Sequence, residues 1–251
     1  MRILLVDNTK NNKCDFTRIL EKKLLFFTKD VTVCDDIEKI NDITNQMFDA
    51  IILSGSSLNL SQPNKIEYIN KSVNILLRYS DTPILGICFG MQLILASYGS
   101  NIKRLETPQN KECMINVDKN SILFGGLPVK SNVTLSHQDY ASCAPDDFNV
   151  YSRYNGCIQV AESLKFKRFG VQFHPEKKVE NEPVCVLSNF FIFLKEIKTI
   201  PYNISLIKYY TLVFDVKNTK RVKNNEFEKN FIMLLWNNHR HIWNIPSLLV
   251  C

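Results

Sequence analysis

The sequence predicts an α/β fold: a mixed, mostly parallel sheet flanked by helices, followed by a C-terminal extension. Three observations carry this. Short apolar runs bounded by turn residues alternate with helical stripes through the first half of the chain, the pattern of βαβ units. The stretch Thr82 to Leu93 reads as strand, sharp turn and helix, with Cys88 framed by Gly86 and Gly90. The composition is that of a folded globular chain, 45% hydrophobic and 22% charged over 251 residues.

Taken in order, Arg2 to Asp7 reads as a buried first strand, and Asp7-Asn8-Thr9 as the turn after it. Phe16, Ile19, Leu20, Leu24 and Phe27 form a helical stripe. Val31 to Cys34 is β-rich, another helix is expected before Phe48, and Asp49 to Leu53 is again strand-like. Ser54-Gly55-Ser56-Ser57 follows this third strand, and ligands of open α/β sheets gather at such carboxyl ends. Gln62-Pro63-Asn64 reads as a turn, and Ile66, Ile69, Val73, Leu76 and Leu77 give a helical face. Pro83 opens the next strand, Ile84 to Ile87, and helical spacing starts at Phe89. Gly99 stands where a left-handed residue would end that helix.

The second half is strand-rich. Cys113 to Val117 and Val129 to Leu135 alternate, and are expected to add antiparallel strands to the sheet. Ser136-His137-Gln138-Asp139 falls at the end of the second run. Asn149 to Ser152 and Cys157 to Ala161 can pair around the Asn155-Gly156 turn. Phe169 to His174 reads as extended, so His174 and Glu176 would share a side. Leu187, Phe190, Phe191 and Leu194 mark the last helix.

The elbow points to covalent chemistry. Cys88 precedes a helix, whose positive end favours a thiolate. Gln92, four residues on, lies on the same helix face and can reach the same pocket. A thiol nucleophile needs a base and a group that orients the base, and His174 with Glu176 supplies both. A buried structural cysteine would have none of this frame.

Gly-Ile-Cys-Phe-Gly-Met-Gln (residues 86–92) resembles the nucleophile motif of class I glutamine amidotransferases. Gly-Val-Gln-Phe-His-Pro-Glu (residues 170–176) resembles the same family's His/Glu motif, in the expected order and about 85 residues later. The resemblance covers residues 1–197 and implies the family's flavodoxin-like fold. It implies a Cys88-His174-Glu176 triad, an oxyanion hole made by the backbone N–H groups of Ser56 and Phe89, and Gly55 shaping the loop. The family often has Gly and then Pro where this chain has Ser56 and Ser57. Ser-His-x-Asp resembles a segment of the glutaminase domain of GMP synthetases, implying His137 and Asp139 as substrate contacts. The implied substrate is glutamine, with ammonia passed to a separate synthetase. A stand-alone γ-glutamyl hydrolase and an inactive amidotransferase-like binding protein are the alternatives.

Eight cysteines are scattered with no C-x-x-C pair, which points away from zinc and from a disulfide framework and toward a reducing cytoplasm. No metal or organic cofactor is expected. No apolar stretch reaches 18 residues, so no spanning segment is expected. The net charge of +6 is concentrated in residues 198–251, which hold eight Lys/Arg against three Asp/Glu, leaving 23 against 22 in residues 1–197. This extension resembles no family we can name. It reads as a small accessory layer or a partly ordered extension with a solvated basic stretch. The alternatives are partner docking by its aromatic residues or weak binding to an acidic surface, and nucleic-acid binding is not assigned to it.

Overall fold

The computed structural model describes residues 1–9, 15–36, 42–43, 45–61, 66–177 and 185–199. A seven-stranded sheet forms its centre, in the order β2-β1-β3-β4-β9-β8-β7. The parallel part comprises β1 (Arg2–Val6), β2 (Asp30–Cys34), β3 (Ala50–Leu53), β4 (Ile84–Ile87) and β9 (Arg168–Val171). Strands β8 (Cys157–Ser163) and β7 (Asn149–Tyr154) extend it antiparallel. Asn155 and Gly156 both have positive φ, 48° and 78°, as the expected two-residue hairpin turn requires.

Alternation along the central strands divides the apolar residues between two faces. Ile3, Leu5, Ile52 and Leu85 join a core with α1 (Asp15–Leu24) and α4 (Cys185–Thr199), through Leu20, Leu24, Phe190 and Leu194. Leu4, Val6, Ile51 and Ile84 join the opposite core with α2 (Ile66–Arg78) and α3 (Phe89–Ser97), through Val73, Leu76 and Leu93. Strands apolar on both faces are what a parallel sheet covered by helices needs. Phe27, one turn past α1, stacks on Phe191 with centroids 4.4 Å apart, so the apolar stripe outlasts its helix.

Gly99 has φ 102° and ends α3 in a Schellman motif: its N–H donates to Ala96 O at 3.0 Å and the Ser100 N–H to Leu95 O at 2.9 Å.

Two expectations are corrected. The runs near Cys113 and Val129 do not add to the main sheet. They belong to β5 (Ile102–Asn116) and β6 (Lys130–Ala141), a separate antiparallel ribbon with a register shift between Arg104 and Gln109. Most of β5 is solvent-facing and polar, so its first ten residues carry no apolar period, and β6 supplies its pairing instead. Ser136 to Asp139 therefore lies inside β6 and not at a strand end. Second, β9 stops at Val171, and the chain beyond it turns.

The turn expected at Gln62 to Asn64, most of the helix expected before Phe48, and the extension from residue 200 onward lie outside the described residues. No described helix is long and apolar enough to cross a membrane.

Candidate active site

Strand β4 delivers Cys88 to the carboxyl end of the sheet, and the backbone there is held in a rare conformation. Cys88 has φ 52° and ψ −106°, an angle pair that L residues adopt only where surroundings impose it. Its N–H donates to Val171 O at 2.8 Å, and its C=O accepts from Gln92 N at 3.1 Å. The first bond ties it to β9 and the second starts α3. The flanking glycines make the turn this tight. A Cβ on Gly86 would sit 2.5 Å from Gly90 C and Met91 N, and one on Gly90 would sit 2.4 Å from Leu53 O. Either would lift the first turn of α3 off the sheet and move the thiol.

The His/Glu pair is built by a turn. The Lys177 N–H donates to His174 O at 3.1 Å, closing four residues with Pro175 in the second position, where its fixed φ fits. The expected alternation along an extended segment is thus replaced by a β-turn, and it brings the two side chains closer than alternation would. His174 Nδ1 lies 2.5 Å from Glu176 Oε1, with both residues buried. His174 N–H donates to Thr134 O at 3.0 Å, which fixes the turn against β6. Burial opposes a charged imidazole here, but hydrogen bonds and charges from Cys88 and Glu176 outweigh it and push the His174 pKa up to about 10. Phe16 of α1 lies beside the imidazole, with ring centroids 5.3 Å apart, and Lys177 Nζ sits 4.5 Å from the Phe16 centroid.

The loop after β3 meets the same place. A Cβ on Gly55 would approach His174 Cε1 to 2.9 Å and Cys88 Cβ to 3.6 Å. No side chain fits there, and the loop backbone runs against the cysteine and imidazole. Asn8 braces it from the end of β1. Its N–H donates to Ser54 Oγ at 2.9 Å, its amide to Ser54 O at 2.7 Å, and its carbonyl accepts from Ser56 Oγ at 2.7 Å. Ser56 Oγ also accepts from Leu58 N at 3.0 Å. Serine at 56 thus uses its hydroxyl to set the backbone of the loop. Phe89, the first residue of α3, has an N–H with no intrahelical partner.

Strand β6 supplies another wall. Cys88 Sγ lies 3.7 Å from Ser136 O. His137 is buried, and its Nδ1 donates to Asp139 O at 3.1 Å, so Nε2 carries a lone pair. Nε2 has no partner among the described residues. Burial, joined by the nearby charge of His174, lowers the His137 pKa to about 4 against the pull of Asp139.

Asp139 and Gln92 sit differently from the expectation that both contact substrate. The Asp139 carboxylate accepts from Ser61 N at 2.8 Å, Ser61 Oγ at 2.7 Å and Arg104 at 3.0 Å. It ties the loop after β3 to the ribbon. Gln92 shares the helix face of Cys88, but its amide turns inward to Asp139 O and Gln172. Sequence reasoning misses Asn8 and Gln172, whose amide lies 3.5 Å from Cys88 Sγ. An Asn directly after a buried strand is the available signal for the first. The second stands inside the His/Glu motif, between its better-marked members. Among the described residues no group of three His, Cys, Asp or Glu is arranged to hold a metal ion.

The profile of the family described as glutamine amidotransferase class-I matches residues 4–194. A glutamine-hydrolyzing GMP synthase subunit of Methanobrevibacter smithii is 30% identical over 199 residues, covering 78% of this chain and 97% of that protein. The glutamine-hydrolyzing GMP synthase of Prochlorococcus marinus is 34% identical over 166 residues, which is 65% of this chain and only 30% of that longer protein. Among solved structures, a putative GMP synthase subunit from Thermoplasma acidophilum superposes with a TM-score of 0.65 at 23% identity, covering 79% of this chain and 96% of that one. That likeness is one of fold.

Proposed function

The chain belongs to the class I glutamine amidotransferase family, and from that premise we propose how its residues hydrolyse glutamine and where the ammonia goes. His174 takes the thiol proton of Cys88 and, with its raised pKa, keeps it through neutral pH. The Cys88 sulfur attacks the side-chain amide carbon of glutamine, and the C=O electron pair moves to oxygen. That oxyanion is received by the backbone N–H groups of Ser56 and Phe89, one such donor contributing on the order of 10²–10³ in rate. On collapse the C–N bond breaks, His174 gives its proton to the leaving nitrogen, and ammonia departs. Water, deprotonated by His174, then attacks the γ-glutamyl thioester. The C–S bond breaks, and glutamate leaves. Glu176 holds the imidazole by Nδ1 throughout, which leaves Nε2 for the sulfur and the leaving group. The lone pair on His137 Nε2 accepts a hydrogen bond from a substrate N–H.

The observation that carries this reading is the buried 2.5 Å pair of His174 and Glu176 beside a cysteine on a strained elbow. The ammonia goes to a separate synthetase of the GMP synthetase type. Coverage supports this. The match takes in 97% of the Methanobrevibacter GMP synthase subunit but only 30% of the longer Prochlorococcus enzyme. The amidotransferase domain is residues 1–197, a boundary supported by the family match ending at 194 and α4 ending at Thr199. A reducing cytoplasm suits a thiolate enzyme.

The test is glutamate release from glutamine by the purified chain beside Cys88→Ala. The variant should lose on the order of 10⁴-fold or more in kcat. A chloroketone analogue of glutamine should alkylate Cys88 with loss of HCl, adding the rest of its mass to the Cys88 peptide even where turnover awaits a partner. A variant that keeps its activity, or labelling spread over other cysteines, would overturn the mechanism.

A further inference from the structure

Two buried glutamine amides stand in line behind the Cys88 sulfur. Gln92 belongs to the first turn of α3, and Gln172 follows β9 by one residue. They are 2% and 0% exposed. Gln92 Nε2 lies 2.6 Å from Asp139 O and 3.1 Å from Gln172 Oε1. Gln172 Nε2 lies 3.5 Å from Cys88 Sγ.

The polarity of this line is set at its far end. A backbone carbonyl can only accept, so the end of Gln92 that meets Asp139 O must be its NH₂. That NH₂ also meets Gln172, so Gln172 turns its oxygen to Gln92 and its own NH₂ to the sulfur. Rotating both amides would set oxygen against oxygen at 2.6 Å and leave an acceptor facing Cys88. One carbonyl in β6 therefore decides which end of an amide the sulfur meets. This matters because another neighbour of the sulfur, the Ser136 carbonyl oxygen at 3.7 Å, is an acceptor and favours the thiol. A donor on the opposing side favours the thiolate.

We propose that Gln172 is a catalytic hydrogen-bond donor to the Cys88 thiolate, and that Gln92 and the Asp139 carbonyl are its positioning partners. This rests on the reading of Cys88 as nucleophile. The donor serves twice. It stabilises the sulfur anion before attack, and does so again when the C–S bond of the thioester breaks and the electron pair returns to sulfur. The neutral thioester sulfur draws less from it, so the interaction is strongest in the states with negative sulfur.

The test is the pH dependence of iodoacetamide alkylation at Cys88, followed in the full chain by peptide mass. Gln172→Met removes the donor and keeps the bulk. It should move the alkylation midpoint up by about one pH unit, slowing reaction below the midpoint about tenfold. Gln172→Glu, which keeps the shape and replaces NH₂ by an acceptor, should move it further, and it carries the test if the Met variant does not fold. Gln92→Met should give a smaller shift, because Gln172 then loses its fixed orientation. A role in packing alone would lower the melting temperature and leave the midpoint in place. A folded Gln172 variant with a wild-type midpoint overturns the proposal. Wild-type Cys88 reacting no faster than the other cysteines would instead overturn the nucleophile reading beneath it.

Discussion

Strand β9 opens on one buried cation and leads, past its far end, to another, and the two are held in opposite ways. Arg168 opens the strand. It donates to the carbonyls of Tyr79, Ser80, Thr82 and Phe166 at 3.2, 2.8, 2.6 and 3.0 Å. Tyr79 and Ser80 directly follow the C-terminus of α2, where the helix dipole favours positive charge. The Arg168 Nε has no hydrogen-bond partner among the described residues, although Tyr98 interacts with the guanidinium. His174, three residues past the other end, has one carboxylate and one thiol. Around it His137 Nε2 and Glu176 Oε2 are buried without partners among the described residues. A charge held by several backbone carbonyls secures a fold, whereas open valences next to a charge can take up a reacting molecule.

The comparison breaks most visibly at Arg168. Arg168→Met keeps the apolar stem but strands several buried carbonyls, and should cost about 4 kcal/mol in urea unfolding. The fraction that stays folded should turn over glutamine at the wild-type kcat. A loss below about 1 kcal/mol would mean that the carbonyls find other partners, and the contrast between the two ends would fail.

Glu176→Gln sharpens the other end by removing charge while keeping shape. Its expected cost is about 10²–10³ in kcat, or about 3–4 kcal/mol. The sign of the pH effect follows from the raised His174 pKa. In the proposed mechanism the release of ammonia needs the His174 imidazolium, so wild-type activity should fall as pH rises through about 10. Without the carboxylate that limb should move down toward the ordinary histidine value. Stability follows the same direction, with the His174 contribution complete below about 6.5 and lost as pH rises through about 10. A pH–rate profile of glutamate release reads the limb, and an unmoved limb would remove Glu176 from this role.

These two ends are not equally legible in the sequence. The elbow, the helix stop at Gly99 and the Asn155-Gly156 turn announce themselves through glycine, because each needs space or a backbone conformation that few residues allow. Cys88, His174 and Glu176 follow from residue type and order, although the turn that joins the latter two reads as extended chain. Arg168 carries no signal at all. Its partners are backbone carbonyls scattered from 79 to 166, and carbonyls are the same at every position. The ribbon is underestimated for a related reason. An exposed strand such as β5 has no apolar period, and pairing across β6 is a long-range fact. Asp139 and Gln92 show the remaining gap: type and position bring them to the site, but only geometry shows that the Asp139 carboxylate and the Gln92 NH₂ are already occupied.

A third buried charge, Glu162 on β8, lies between these extremes and gives the smallest expected effect. Its carboxylate accepts from Ser121 Oγ at 2.5 Å, Ile122 N at 3.0 Å and Leu123 N at 3.1 Å, pinning the turn before β6. Burial nevertheless prevails over these donors and raises its pKa from 4.5 to about 7. The folded chain therefore holds this proton up to about pH 7, while the unfolded chain releases it near 4.5. Folding takes up a proton in that window, so this contribution to stability is complete below 4.5, falls as pH rises, and is gone above about 7. The fall amounts to about 3 kcal/mol. Glu162→Gln is neutral throughout, and its urea midpoint should lack this part of the slope between those two values. Equal slopes in the two proteins would mean that the three donors keep Glu162 ionised, and would class it with Arg168 as a charge held mainly by backbone groups.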